Sequence, residues 1–297
     1  MRRLSWVWVC LVGVAPTADA QSPAEASARA ISLVRSRGGQ VLTEDWRPGQ
    51  PVVRVRFTDA PITDADLPVL EAFPELIVLD VSGTRITDRG LRRLQHLKSL
   101  RWLILDRTQI TDEGLTHLPA MPQLEVLSLA ATGVTHTGME PVGRLSNLRQ
   151  LVLAETTMTD VGLSRLRGLS RLEALDLRGT RITDAAPAQI RAFTQLRWLD
   201  LSQTRITVTG WNLLRNLSQL EVLDLSGTRM TNAGLIALHN MPRLYWLGLD
   251  RTLVTDQGLE ALAQLRHLET VSLVGTAVSA DALRNLHKRL PDLEIIR

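Results

Sequence analysis

A leucine recurs every 24 residues from Leu76 to Leu268, and this period constrains the fold more than any other feature of the chain. Nine successive copies share the frame L-x-x-L-x-L-x-x-T-x-I-T-D-x-G-L-x-x-L-x-x-L-x-x, whose positions we count from the first leucine. A repeat of this length is one strand-plus-helix unit that cannot bury its own apolar face, so the core forms only when neighbours stack. The sequence therefore predicts a solenoid of α/β class.

Each repeat changes its periodicity once. Apolar residues at positions four and six alternate with exposed ones, as in a half-buried strand, and the leucines at positions sixteen, nineteen and twenty-two recur at helical spacing. A divergent copy over residues 52–75 keeps the apolar residues but has Ala60 where the other copies have threonine. We therefore expect about ten repeats over residues 52–292, followed by a terminal strand at residues 293–297.

The strand-and-turn signature L-x-x-L-x-L, followed after two residues by a small polar residue, resembles the leucine-rich repeat family. The wording T-x-I-T-D-x-G-L is similar to bacterial repeats related to the F-box and cysteine-containing subfamily, with threonine at the ninth position. This resemblance implies a right-handed arc or horseshoe in which a parallel β-sheet lines the concave side and helices cover the convex side.

Four polar or small positions of the frame are interpreted as structural. Threonines at position twelve, such as Thr87, are placed to cap the helix, and the aspartate that follows lies at its positive end. The glycine at position fifteen, such as Gly90, allows the helix to approach its neighbour closely. Threonines at position nine, such as Thr84, form a column that satisfies turn backbone groups. No histidine or carboxylate holds a fixed place beside them, so they lack the base that a nucleophile needs.

The first twenty residues have the pattern of a secretory signal peptide. Arg2 and Arg3 precede an apolar stretch over residues 4–15, and Ala18-Asp19-Ala20 predicts cleavage after Ala20. The apolar stretch is too short to span a membrane. Cys10 lies inside it, so the mature chain has no cysteine, which favours a secreted or periplasmic bacterial protein over a disulfide-bridged animal one.

Residues 21–51 are predicted to form an N-terminal cap over the open end of the first repeat. The spacing of apolar residues indicates a helix from Pro23 to Arg37, which Gly38 and Gly39 end, and a short strand over residues 40–42. Trp46 in the cap and Trp211 on a repeat helix are interpreted as packing residues.

Function is sought where the repeats differ from one another. The resemblance implies that positions three and five flank the inward leucine and face concave solvent. These positions carry an apolar cluster in the N-terminal half, and an aspartate ladder (Asp176, Asp200, Asp224) beside tryptophans in the C-terminal half. Exposed apolar patches and aromatic residues mark contact surfaces. With two residues of the most individual copy, Tyr245 and Arg251, the predicted binding residues are Val78, Trp102, Ile104, Val126, Val152, Trp198, Asp200, Asp224, Tyr245, Trp246 and Arg251.

Several functional classes are disfavoured. Six histidines occupy five different repeat positions, and neither a phosphate loop nor a nucleophile elbow occurs, so we expect no enzyme, metal or cofactor. The formal net charge of +3 gives little reason to expect a nucleic-acid partner.

Three binding hypotheses remain. The first is a scaffold that holds a partner protein on its concave sheet. The second binds an envelope or extracellular glycan through the same tryptophans. The third is a substrate-recognition adaptor resembling F-box ubiquitin-ligase subunits, although residues 21–51 are few for an F-box and a signal peptide disagrees with a cytosolic assembly. The sequence does not predict the oligomeric state.

Overall fold

Twelve short strands lie side by side in one sheet, in the order of the chain. The computed structural model describes residues 23–44, 51–207, 210 and 217–297. The first strand pairs antiparallel with the second, and every later strand pairs parallel, in register, with the strand 24 residues before it. The predicted leucine-rich repeat solenoid of α/β class is confirmed. The strands are β1 (Gln40–Thr43), β2 (Val52–Arg56), β3 (Val78–Asp80), β4 (Trp102–Ile104), β5 (Val126–Ser128), β6 (Gln150–Val152), β7 (Ala174–Asp176), β8 (Trp198–Asp200), β9 (Val222–Asp224), β10 (Trp246–Gly248), β11 (Thr270–Ser272) and β12 (Glu294–Ile296).

In the described repeats, short α-helices or turns of 3₁₀-helix return the chain from one strand to the next. The described α-helices are α1 (Pro23–Ser36), α2 (Asp88–Leu94), α3 (Asp112–Leu115), α4 (Met139–Val142), α5 (Asp160–Arg165), α6 (Pro187–Ile190), α7 (Asn232–Leu235), α8 (Leu259–Leu262) and α9 (Ala280–Arg289). Turns of 3₁₀-helix cover Leu67–Ala72, Leu118–Ala120, His136–Gly138, Ile236–Asn240 and Asp256–Gly258. None of the helices in the described ranges is long and apolar enough to cross a membrane.

The core is a stack of leucine layers. In the repeat that begins at Leu100, the strand residues Leu103 and Leu105 and the helix residues Leu115 and Leu118 are fully buried. The same positions are buried in most of the described repeats, and the buried residues form one continuous cluster. Burying one leucine side chain stabilises the folded state by roughly 2 kcal/mol, but only when a neighbouring repeat covers that side chain.

The threonine column at position nine behaves as predicted. In all nine regular repeats the threonine hydroxyl donates a hydrogen bond to the backbone carbonyl three residues earlier, at 2.5–2.8 Å. Thr156, for example, donates to the Leu153 carbonyl at 2.7 Å and is buried. These bonds satisfy a carbonyl that the tight turn turns away from the sheet.

Where position thirteen holds an aspartate, its carboxylate links the repeat to the next one. Asp88 accepts the backbone N–H of Thr111 at 2.8 Å and its hydroxyl at 2.7 Å. The glycine at position fifteen makes room for this carboxylate, because a Cβ at Gly114 would collide with the Asp88 Oδ1 atom. The predicted close approach at glycine is therefore explained by a side chain of the preceding repeat. Equivalent links join Asp64 to Thr87, Asp112 to Thr135, Asp160 to Thr183, Asp184 to Thr207 and Asp256 to Ser279.

The predicted helix caps are only partly correct. Thr87 and Thr111 each accept the backbone N–H of the residue two positions on. Thr159, Thr231 and Thr255 make no such bond. At Thr159 and Thr231 the preceding repeat has His136 or Val208 instead of aspartate, so no carboxylate orients the hydroxyl; at Thr255 the hydroxyl accepts an amide N–H of Asn232 at 2.8 Å.

The ends of the row differ from its middle. Helix α1 is followed by β1, which adds to the edge of the sheet beside β2, and Val34 of α1 is fully buried. Strand β12 continues the parallel sheet beyond β11. The predicted signal peptide, with its cleavage after Ala20, lies outside the described residues, as do Trp46 and Trp211.

Candidate binding surface on the concave sheet

Register brings the apolar side chains of the N-terminal strands together. Val78, Trp102 and Val126 lie opposite one another at position three of β3, β4 and β5. Ile104 and Val152 lie at position five of β4 and β6. We call these five residues the apolar patch. Neighbouring strands are about 4.8 Å apart, so the patch runs about 15 Å across the sheet.

Exposure singles out Trp102 within the apolar patch. Its side chain is 41% exposed, whereas the four aliphatic residues are half-buried. The neighbours at position three are valines, which leave the indole without an aromatic partner in the register of the sheet. A large, exposed aromatic side chain with apolar flanks is the type of residue that anchors protein interfaces.

The two C-terminal tryptophans are more enclosed. Trp198 lies between Ala174 and Val222 at position three, and Trp246 is the next residue in that column after Val222. Both indoles are half-buried. Trp246 extends over Gly248 of its own strand, where an added Cβ would lie 2.9 Å from the ring atom Cη2. Gly248 therefore gives the indole a place to pack against the sheet.

The aspartate ladder does not face concave solvent as expected. Asp200 is only 8% exposed, and its carboxylate accepts the backbone N–H of Ser202 at 2.7 Å. Asp224, half-buried, does the same with Ser226 at 2.9 Å. The expected exposure was wrong for Asp200, because the strand ends at this position and the carboxylate folds toward the turn that follows; its role in binding stays a prediction.

Burial and mutual repulsion alter the acidity of this ladder. Burial, together with the charges of Asp224 and Asp176, raises the pKa of Asp200 to about 6, against the opposing hydrogen bonds from Ser202. Burial also raises the pKa of Asp176, while its hydrogen bond from Arg178 lowers it. The three carboxylates lie opposite one another on β7, β8 and β9, about 5 Å apart from strand to strand. Their hydrogen bonds support the turns, whereas their burial and mutual repulsion destabilise the charged forms.

A second column at position two escaped the sequence analysis. Arginine and glutamate alternate there, and each arginine pairs with the glutamate of the following repeat. The Arg197 to Glu221 pair is 3.2 Å long. The pattern is visible in the sequence, because the residues at position two of successive repeats are Arg101, Glu125, Arg149, Glu173, Arg197, Glu221, Tyr245 and Glu269. Exposed pairs of this kind are worth at most about 1 kcal/mol each, so they define a hydrophilic border more than they stabilise the fold.

Tyr245 and Arg251 lie outside the two concave columns. Tyr245 takes the place where the alternation would have an arginine, is 40% exposed, and lines a surface cavity of about 490 Å³ with Glu221 and Glu269. Arg251 is exposed at position eight, in the turn after β10, with a φ of 52°. Register therefore separates these two residues from the apolar patch by at least four strands.

The described residues offer no obvious catalytic or metal centre. No group of three or more histidine, cysteine or acidic side chains among them is arranged to hold a metal ion. His239 is exposed, with its Nε2 atom 3.1 Å from the Ala261 carbonyl oxygen.

Comparison with models of protein families shows the family to which the chain belongs. A family model described as "Leucine-rich repeat region" matches residues 111–281, more than half of the chain. The chain belongs to the leucine-rich repeat family. A second model, "Leucine Rich repeat", matches residues 76–94. No curated protein sequence matches the chain.

Two internalins of Listeria monocytogenes have a similar leucine-rich repeat structure. Internalin inlF aligns with a TM-score of 0.56 and 17% identity over 90% of this chain and 94% of its own. Internalin C2 (inlC2) aligns with a TM-score of 0.58 and 24% identity over 82% of this chain and 92% of its own. At these identities the likeness shows the fold. The features specific to this leucine-rich repeat chain are the side chains at the surface positions that the repeat frame does not fix.

Proposed function

We propose that this chain is a non-catalytic scaffold that binds a partner protein on its concave sheet, outside the bacterial cytoplasm. The apolar patch carries the proposal, because Val78, Trp102 and Val126 lie side by side in register and the indole of Trp102 is 41% exposed. A solvent-facing apolar patch costs hydration free energy unless a ligand covers it. The extracytoplasmic location rests on the sequence pattern of residues 1–20.

The border of the patch supports a protein ligand. The arginine–glutamate pairs at position two run alongside it, including Arg101 with Glu125 and Arg149 with Glu173. An apolar centre beside a charged rim is the usual anatomy of a protein interface. The aspartate ladder, including Asp200 and Asp224, is assigned to turn stabilisation in this proposal.

The test is affinity capture with matched variants. The full chain, a Trp102→Asp, Ile104→Asp variant and a Val161→Asp control are immobilised, and proteins retained from extracts of the source organism are identified by mass spectrometry. Val161 is 54% exposed on helix α5, so the control makes the same apolar-to-charged change away from the sheet. Specific proteins should be retained by the native chain and the control but lost from the patch variant. Equal retention by all three would contradict concave-face binding.

Glycan binding is the alternative, and it rests on Trp198 and Trp246. These residues lie two strands apart at position three, about 10 Å, and indoles at such spacing could stack on sugar rings. Their partial burial and the packing of Trp246 over Gly248 reduce the ring area that is free to stack. Protein binding should suffer from both Ile104→Asp and Trp246→Ala, whereas glycan stacking should suffer from the second alone.

The F-box adaptor hypothesis is the least supported of the three. Residues 23–44 form one helix and one strand, and that strand joins the repeat sheet through β2. This segment is thus part of the solenoid end, and the described residues before the repeats supply no separate module for recruiting a ligase.

A further inference from the structure

Three arginines at position ten form an unpaired cationic row on consecutive repeats. Arg181, Arg205 and Arg229 are exposed in the turn region that follows β7, β8 and β9. No hydrogen bond or ion pair joins their guanidinium groups to the rest of the described chain. We call these three residues the arginine row.

The backbone holds the row at the spacing of a sheet. The N–H of Arg181 donates to the Met158 carbonyl at 2.9 Å, and that of Arg205 donates to the Ile182 carbonyl at 3.0 Å. The second bond places Arg205 beside Arg181, and the register of β8 with β9 places Arg229 one repeat further on. Neighbouring members are thus about 5 Å apart at the backbone, close enough for like charges to repel. The frame does not require this, since other repeats have Gln109, Thr157 or Leu253 at the same position.

None of the carboxylates near the row forms an ion pair with it among the described residues, and Glu155 pairs with Arg178 instead. Position eight beside it holds two glycines and Gln203, all exposed. The carboxylates of Asp160 and Asp184 are held by the threonines of the following repeats, at position twelve. Three arginines kept adjacent, exposed and unpaired point to an anionic ligand with at least three charges, because guanidinium groups favour carboxylate and phosphate geometry.

Spacing selects the form of that ligand. The row spans two strand spacings, about 10 Å. On an α-helix, residues i, i+3 and i+7 share one face and span about 10.5 Å. On an extended peptide, three residues of one face span about 13 Å, which fits less well. A base-stacking ligand would need aromatic side chains, and position ten has none in any repeat.

We propose that the arginine row docks an acidic α-helix whose carboxylates lie at i, i+3 and i+7. This rests on the proposed function in one respect, that the ligand is a protein. The row adds a second contact on the loop edge, next to the concave sheet, and this contact determines the charge of the partner and the direction in which its helix runs along the solenoid.

The test uses the full chain and a synthetic helix as the probe. The probe is an alanine-rich, end-capped peptide of about 24 residues, long enough to be helical, with glutamates at i, i+3 and i+7; its isomer has the same glutamates spread around the helix. Binding is measured by fluorescence anisotropy at low and high salt. Arg205→Gln should weaken binding by about two- to fivefold and the triple arginine-to-glutamine variant by about ten- to a hundredfold.

Arg85→Gln is the matched control. Arg85 occupies position ten and is exposed, but it has no arginine beside it in the column, so its substitution should leave the affinity unchanged. Full affinity in the triple variant, or equal affinity for the isomer, would overturn the proposal. Tighter binding of polygalacturonate than of the peptide, dependent on the same arginines, would replace the helix with an acidic polysaccharide.

The outcome is separable from the test of the concave sheet. Trp102→Asp, Ile104→Asp should leave the affinity for the acidic peptide unchanged, because the apolar patch lies on earlier strands than the arginine row. Equal protein capture by the native chain and the Trp102→Asp, Ile104→Asp variant, with peptide binding that depends on the arginines, would refute only the concave-face function. Loss of protein capture in the Trp102→Asp, Ile104→Asp variant, with peptide binding that ignores the arginines, would refute only the arginine row.

Discussion

Replacing Asp200 with asparagine should stabilise the protein at neutral pH. Asp200 is buried next to two other carboxylates, and burial and their charges raise its pKa from 3.8 to about 6. Asparagine has the same shape, and its carbonyl oxygen can still accept the Ser202 N–H that Asp200 accepts at 2.7 Å. The change therefore removes an unfavourable charge while it keeps the turn.

The magnitude follows from the pKa. A unit of pKa corresponds to about 1.4 kcal/mol, so ionising Asp200 in the folded state costs up to about 3 kcal/mol. The neutral hydrogen bond of asparagine is weaker than that of a carboxylate by about 1 kcal/mol, which leaves a net gain of about 1–2 kcal/mol. Because the folded pKa lies above the unfolded one, the folded state binds the proton more tightly between pH 4 and 6. The penalty is thus complete above pH 6 and disappears as the pH falls toward 4.

The assay is urea unfolding, followed by tryptophan fluorescence at pH 7.5 and pH 4. With a slope of about 3 kcal/mol per molar urea, Asp200→Asn should raise the midpoint by about 0.5 M at pH 7.5 and by almost nothing at pH 4.

Asp80→Asn is the control, because Asp80 occupies the same position and also accepts the N–H two residues on, at 3.0 Å. Asp80 pairs with Arg56 at 3.2 Å, so its substitution should lower stability by up to about 1 kcal/mol. A neutral or destabilising Asp200→Asn at pH 7.5, or a gain that persists at pH 4, would refute the electrostatic account.

Two further predictions concern the links that hold the stack. Gly114→Ala should destabilise the protein by about 1–3 kcal/mol, because its Cβ would collide with Asp88 Oδ1; urea midpoints of Gly114→Ala, Asp88→Ala and the double variant should show strong non-additivity, and additive effects would contradict the collision. Thr156→Val should cost about 1 kcal/mol, because the Leu153 carbonyl loses its 2.7 Å bond from the hydroxyl and keeps only the 3.3 Å bond from the Thr156 N–H. Thr156→Ser should cost clearly less, and equal losses would argue for packing instead of the hydroxyl.

The repeat frame made most of the fold predictable. The 24-residue period located each strand, and the threonines at position nine were assigned to the correct role because the frame presents them to a turn in every copy. The glycine at position fifteen was correctly linked to close packing. Its partner was not predicted, because the aspartate that fills the space belongs to the preceding repeat and the contact is visible only after stacking.

The candidate site was predictable only in part. Register could be deduced from the period, so the neighbours of Trp102 were known in advance. Exposure could not be deduced, because a three-residue strand ends at position five and Asp200 turns toward the Ser202 backbone instead of the solvent. The arginine–glutamate column was not predicted for a different reason. The residues at position two were not compared between successive repeats, although Arg197 and Glu221 are one 24-residue period apart.

The aspartate links divide the stack into three blocks. They are continuous up to Thr135, resume from Asp160 to Thr207, and resume again, with an amide, at Asn232. Between blocks lie two seams, before Thr159 and before Thr231, where the sequence has no aspartate to bridge the repeats.

In a solenoid each repeat contacts only its neighbours, so cooperativity is lowest where the contact between two repeats is weakest. Heat or tension should therefore separate the three blocks from one another before the repeats within a block unfold. The apolar patch crosses the first seam, between β5 and β6, and the arginine row crosses the second, between β8 and β9. A ligand bound to either surface would therefore contact two blocks at once and stabilise the seam between them.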